Sequence, residues 1–436
     1  MFTALLLFLL IYVGYQIYAD PLEKGLMSFL FYLQIAGVLK RLITFYEPGI
    51  IQLVGYNFIV GLQYVLFSCI LFSSIRKDAF ERLTSRGIAF FFVMLSLVVI
   101  SFYNSRLTLL FATLLFVLNF FPMFSYYIGK AISRTSFGKI LTFLFYTSFI
   151  HIGYCLLQFF IGPFAFEVVF LETKSALLDV STGEFFRSVP LYDNIEPLYV
   201  HFLVVFSFAG SRGNRFKLNF RNRILYRLAI FAAIFVMGNR SGLILLIFVV
   251  LFEYFHHLFK RRVFLLAFVV SVILSLNVFY ATLFSFIDEN AIELFSDSDF
   301  SKRLGTLGTY SDRLVGRKNA TEHLNLLGHG LGSSGLITSV FENKFEGHKD
   351  IKDPNLWAHD LVGEMMIDFG LIGSLFLLYY IIRNVVRLND AEETCFRIVL
   401  SLFLVSCLIG SSLFLGRSAY LLFLVIGFGI KSRLRE

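Results

Sequence analysis

Long runs of apolar residues recur along almost the entire chain, and they constrain its fold more than any other feature. Most runs hold roughly 15 to 25 residues, close to the length of about 20 that a helix needs to cross a bilayer. Charged residues make up only 16% of the 436 positions, whereas a soluble domain is about a quarter charged. The chain is therefore predicted to be an all-α polytopic membrane protein, which excludes soluble enzymes, nucleic-acid-binding domains and disordered chains as the main interpretation.

The apolar runs predict about 12 or 13 transmembrane helices. The candidate spans are residues 2–18, 25–45, 49–74, 87–103, 107–128, 140–161, 195–210, 224–239, 241–258, 264–286, 368–384, 398–415 and 418–430. The predicted organisation is an N-terminal transmembrane bundle, a large hydrophilic loop with amphipathic helices, and a group of C-terminal transmembrane helices. These parts cover residues 1–286, 287–367 and 368–436, and the first part includes an outer loop at 162–194.

Lysine and arginine residues collect in six short segments between the apolar runs. These segments are residues 76–86, 130–139, 212–227, 260–262, 383–397 and 431–435. Each follows the previous one after two spans, so all six can lie on one side, and the positive-inside rule makes that side the cytoplasm. The net charge of +8 thus reflects membrane topology, and no nucleic-acid partner is predicted. The two long hydrophilic segments then fall on the outer side.

Two arginines lie where this topology makes a positive charge unusual, and two more lie in the large outer loop. Arg240 and Arg417 occupy short hairpins on the outer side, where an arginine is expected to pair with another group or to face a polar cavity. Arg313 and Arg317 are four residues apart in the large loop, so on a helix they share one face. Two guanidinium groups on one face suit a diphosphate. The alternatives are arginines that reach lipid headgroups, or a solvated helix face with ion pairs.

His359 is the strongest candidate for acid–base chemistry, because a neutral imidazole can accept a proton from a hydroxyl. Asp360, Glu364 and Asp368 form a predicted acidic stripe beside it, although a structural role for an interfacial histidine is the open alternative. A glycine-rich segment, 328–335, is predicted to turn the chain at the membrane surface. The cysteines and histidines lack metal-ligand spacing, so neither a metal nor a cofactor is predicted.

Four short motifs, taken in order, resemble the O-antigen ligase and polymerase superfamily. They are Asn-Arg-Ser-Gly at 239–242, Ser-Asp-Arg at 311–313, Leu-Gly-His-Gly-Leu-Gly at 327–332, and the stretch from His359 to Gly373. The resemblance covers residues 224–384, a little over a third of the chain. The family usually has Asn after the histidine, where this chain has Asp360.

This resemblance implies a glycosyltransferase of the GT-C type in the bacterial inner membrane, with its active site facing the periplasm. The donor and the acceptor would be oligosaccharides linked to undecaprenyl diphosphate in the lipid bilayer, and a chain-length regulator is a further expected partner. By resemblance, His359 matches the catalytic histidine, Arg313 the loop arginine and Arg240 the membrane-border arginine. Arg317 would help to bind the diphosphate, and Arg417, Asp360 and Glu364 are further candidates for substrate contacts.

Three activities remain open at this stage. A polymerase passes the growing glycan to a new lipid-linked repeat unit, whereas a ligase passes the finished glycan to lipid A-core. The aromatic spans and the modest first outer loop favour the polymerase by analogy. A lipid-linked oligosaccharide flippase or another transporter is the third alternative, although transporters place polar groups near mid-membrane and the candidate residues here lie at the outer border.

Overall fold

The computed structural model describes about half of the chain in detail. The described residues are 1–50, 58–74, 99, 121–168, 191–192, 195–210, 216–237, 240–254, 324–329, 365–376, 379, 394–395, 397–402 and 418–433. Of these residues 89% are helical and none forms a strand, which confirms the predicted all-α class. The predicted total of 12 or 13 spans and the large loop at 287–367 include residues outside these ranges.

We number ten α-helices of the described residues α1 to α10. In chain order they are Phe2–Ala19, Leu26–Tyr46, Phe58–Ser74, Ser125–Ala131, Arg134–Ile161, Ile195–Phe208, Phe220–Val236, Arg240–Tyr254, Met365–Phe376 and Ser418–Arg433. A π-helical turn, Pro21–Gly25, precedes α2 and continues into it. Three segments are long and apolar enough to cross a membrane: Phe2–Ala19, Pro21–Tyr46 and Arg134–Ile161. Their length and composition support a membrane protein.

The two long helices α2 and α5 run in the same direction along each other. At their beginnings Lys139 of α5 forms an ion pair with Glu23, just before α2, with 2.5 Å between Nζ and Oε1. About three turns further along, His151 Nε2 of α5 lies 3.3 Å from Gln34 Oε1 of α2. The two contacts advance together along both helices, so the pair is parallel. Alternating spans give the same direction to the second and the sixth of the predicted series.

Helices α6 and α7 pack beside α5, and α8 packs against α6 and α7. His201 Nε2 of α6 donates to the Leu144 carbonyl of α5 at 2.8 Å, and Phe208 at the far end of α6 contacts Phe137 near the beginning of α5. Helix α6 is therefore antiparallel to α5. Helices α7 and α8 form an antiparallel hairpin in which Arg227 Nη2 lies 2.6 Å from Glu253 Oε2. Together with α2, these helices enclose a continuous apolar core.

The last described helix, α10, packs against the short helix α4. Glycines lie at the contact on both sides: a Cβ added to Gly129 would lie 2.2 Å from the Leu424 carbonyl oxygen, and one added to Gly427 would lie 2.0 Å from the Tyr126 carbonyl oxygen. The two backbones therefore approach as closely as helices joined by small residues do in membranes. Phe137 and Phe428 stack beside this crossing with 3.7 Å between ring centroids.

We expect Gly427→Ala to destabilise the protein by about 1–3 kcal/mol, because the new methyl group must push α4 and α10 apart. Thermal unfolding in detergent would measure the loss as a lower midpoint temperature. Gly138→Ala is the matched control, since a Cβ at Gly138 meets nothing within 4 Å and alanine favours a helix. Equal midpoints for wild type and Gly427→Ala would contradict the close crossing.

Candidate functional site

Most of the predicted site residues lie outside the described part of the chain. These residues are His359, Asp360, Glu364, Arg313, Arg317 and Arg417. Their roles therefore stay predictions. Two pieces of the motifs around them are described, namely the beginning of α8 and the contact between residues 324–329 and α9.

Arg240 is the first residue of α8, so its backbone lies at the beginning of a helix, as the short predicted hairpin requires. Gly242, two residues later, packs closely against α6 and α7. A Cβ at this glycine would lie 2.7 Å from Ile234 Cγ2 and 3.3 Å from the Tyr199 ring. The motif thus lies at the beginning of a helix that packs between two neighbouring helices. This packing fixes the position of the Arg240 backbone in the bundle.

Residues 324–329, which include the beginning of the glycine-rich segment, contact α9 through backbone hydrogen bonds. His329 N–H donates to the Ile367 carbonyl at 2.8 Å, and Leu371 N–H donates to the Asn325 carbonyl at 2.9 Å. Ile372 N–H donates to the Leu326 carbonyl at 3.3 Å. Two motifs that are about 40 residues apart in sequence therefore meet in space. Asp368 lies at this contact with only 7% of its surface exposed, so this member of the predicted acidic stripe faces the protein interior.

A buried ionic network, which we did not predict, joins the ends of α2 and α5. Its centre is the Glu167 carboxylate, which is fully buried and lies 3.8 Å from Nη2 of Arg41, itself 1% exposed. Glu167 also accepts hydrogen bonds from Gln158 Nε2 at 2.6 Å, from Phe164 N–H at 3.1 Å and from the Tyr154 hydroxyl. Burial raises the pKa of the Glu167 carboxyl, whereas these donors and Arg41 act in the opposite direction.

A second cluster of buried polar side chains, formed by His151, Tyr192 and His201, lies one to two helical turns closer to the middle of the bundle. His201 donates through Nε2 to a carbonyl, so its Nδ1 accepts from the Tyr192 hydroxyl at 3.1 Å. The His151 ring stacks on Tyr192 with 5.1 Å between centroids and contacts Gln34. Both histidines therefore interact with the same tyrosine.

Sequence reasoning missed this network because its members are single polar residues within or just after apolar runs. One feature could have indicated it: Lys40 and Arg41 stand together inside the predicted span 25–45, where two adjacent charges are costly. Both side chains are almost completely buried. Among the described residues no cluster of His, Cys, Asp and Glu could hold a metal ion.

Comparison of this chain with protein-family models, with curated proteins and with solved structures finds no match.

Proposed function

We propose that this protein is a glycan polymerase of the membrane, which extends a polysaccharide carried on undecaprenyl diphosphate. The observation that carries the proposal is the contact between the two motif segments 324–329 and 365–372. Both belong to the stretch that resembles the O-antigen ligase and polymerase superfamily, and His359 precedes the second segment by six residues. Their close association is expected if both contribute to one active site.

The proposed reaction transfers the growing glycan from undecaprenyl diphosphate to a lipid-linked repeat unit. The acceptor hydroxyl attacks the anomeric carbon, the bond from that carbon to the diphosphate oxygen breaks, and His359 takes the hydroxyl proton. Arg240, Arg313 and Arg317 bind the leaving diphosphate and stabilise the charge that develops on it. A single displacement of this kind inverts the anomeric configuration. The reaction takes place at the periplasmic face of a bacterial inner membrane.

A lipopolysaccharide gel from a strain that lacks the gene tests this activity. We expect core plus a single repeat unit in the deletion strain, and a full ladder after complementation with the wild-type gene. Bare core would instead favour the ligase or the flippase. Accumulation of lipid-linked polymer in that strain would identify the ligase.

We expect the activity to be independent of a divalent metal, because arginine side chains neutralise the diphosphate in the proposed mechanism. Polymer formation by the purified protein should be unchanged within a factor of about two in excess chelator. A nucleotide-sugar transferase that requires Mg²⁺ provides the control for the chelator. Complete loss of activity that Mg²⁺ restores would contradict this mechanism.

A flippase or another transporter of lipid-linked oligosaccharides is the second candidate function, and one observation favours it. Polar and charged side chains are buried among α2, α5 and α6, as they are in many transporters. Proteoliposomes that contain only this protein and the lipid-linked repeat unit separate the two functions. Longer glycans indicate the polymerase, whereas movement of the unit across the bilayer without chain growth indicates the transporter.

A further inference from the structure

Two glycines, Gly328 and Gly370, face each other where the glycine-rich segment meets α9. We refer to this pair as the glycine lock. Both have a positive φ, 82° at Gly328 and 66° at Gly370, which residues with a side chain rarely adopt. Three backbone hydrogen bonds surround the pair, and the Asn325 side chain also accepts one from Gly328 N–H. The segment is therefore attached to α9 by its backbone rather than by apolar packing alone.

The lock has no space for a side chain on either residue. A Cβ at Gly328 would lie 2.3 Å from the Asp368 carbonyl oxygen, and a Cβ at Gly370 would lie 2.2 Å from the Gly328 nitrogen. Both neighbours are backbone atoms, so no rotamer change can relieve the contact. The close approach and the positive φ are thus two separate requirements for glycine.

We infer that the glycine lock is a positioning device for the proton acceptor of the transfer reaction. The inference rests on the proposed function and names Gly328 and Gly370 as positioning residues that act through His359. The carbonyl of Ile367, which accepts a hydrogen bond from His329, lies eight residues after His359. Only a short stretch of chain separates His359 from this contact, so we expect a change of the backbone at the lock to displace His359.

Such a displacement has a specific kinetic effect. Misplacing a reacting group by about 1 Å can lower a rate about 100-fold, because the reacting atoms no longer meet in line. The diphosphate would still bind through the arginines, which are not part of the lock. A disrupted lock should therefore lower kcat and leave the KM for the donor almost unchanged.

The test compares Gly370→Ala and Gly370→Asn with Gly153→Ala, a helical glycine whose added Cβ meets nothing within 4 Å. Asparagine tolerates a positive φ but still carries a Cβ. We expect both Gly370 variants to lower kcat at least tenfold while the control stays near wild type. If Gly370→Asn restores activity, the backbone conformation alone matters and the close approach is not required, which overturns the lock.

Hydrogen exchange provides a readout that does not depend on activity. The amides of His329, Leu371 and Ile372 should be protected in the wild type and exchange faster in Gly370→Ala. If these amides exchange freely in the wild type, the lock does not exist in the membrane protein. Asn325→Ala, which removes only the side-chain acceptor, is the milder variant if the glycine variants fail to fold.

A double mutant separates positioning from a general structural effect. If the lock acts through His359, Gly370→Ala should cost little further activity in a His359→Ala background. Independent, multiplied losses would overturn the inference. Wild-type protein that shows protected amides but makes no polymer would instead refute the proposed function, and with it the lock's role in that reaction. The two failures are therefore distinguishable.

Discussion

Replacing His359 with alanine should lower the kcat for chain extension by about 10²–10⁴-fold, the range in which a positioned general base contributes. The acceptor hydroxyl then has no group that removes its proton as the new bond forms. The KM for the donor should change little, because the arginines that bind the diphosphate remain. Turnover of a purified lipid-linked repeat unit in detergent or proteoliposomes, followed by the glycan length distribution, measures the effect.

His348→Ala provides the control for this prediction, since His348 lies in the same hydrophilic part of the chain and has no assigned role. It should retain wild-type turnover. His359→Gln keeps a polar side chain but no basic nitrogen, so it should be as inactive as the alanine variant. A fully active His359→Gln would show that this position binds substrate by hydrogen bonding and does not accept a proton.

Replacing Glu167 with alanine should destabilise the protein by about 3–5 kcal/mol, because it removes the carboxylate from a buried ion pair. The Arg41 guanidinium would stay buried without that partner. Gln158 and the Phe164 N–H would each lose an acceptor as well. The midpoint of thermal unfolding in detergent measures the loss, with reaction of the buried Cys155 thiol as the probe in a background where Cys69, Cys395 and Cys407 are replaced with serine.

The double variant Arg41→Met/Glu167→Leu tests the reason for this loss. Apolar replacement of both partners of a buried ion pair is often neutral or stabilising, so the double variant should unfold well above Glu167→Ala. If it also transfers glycans normally, the pair has only a structural role. A Glu167→Ala protein with wild-type stability would show that the carboxylate is not paired in the membrane.

Hydropathy predicted where most of the described helices lie, but it did not separate the short helix Ser125–Ala131 from the span 107–128, and it placed some helix beginnings too late. The predicted span 140–161 corresponds to Arg134–Ile161, which begins six residues earlier. Ser133 caps this helix by accepting a hydrogen bond from Ser136 N–H at 3.0 Å, and the first turns are polar. A scale that measures apolar character does not detect such turns, although a serine at this position can mark a helix start.

The interior polar contacts could not be predicted, because they join residues that are distant in sequence. Arg41 and Glu167 are separated by more than a hundred positions, and so are Gln34 and His151. A single sequence shows that each is polar but not which residues meet. The glycine lock was partly visible, since Gly328 belongs to a predicted turn, but its contact with Gly370 requires the three-dimensional fold.

The crossing of α4 and α10 has a consequence for how the protein is made. Ser125 at the start of α4 and Ala419 in α10 approach each other across 294 positions of the chain. Helices leave the ribosome and enter the bilayer in order. The surfaces of α4 and α6 that contact α10 therefore stay uncovered until α10 has been inserted. During that interval the glycine face of α4 is accessible to other inserting helices and to membrane quality-control proteases. Loss of α10 would therefore leave the glycine face of α4 uncovered from the time it enters the bilayer.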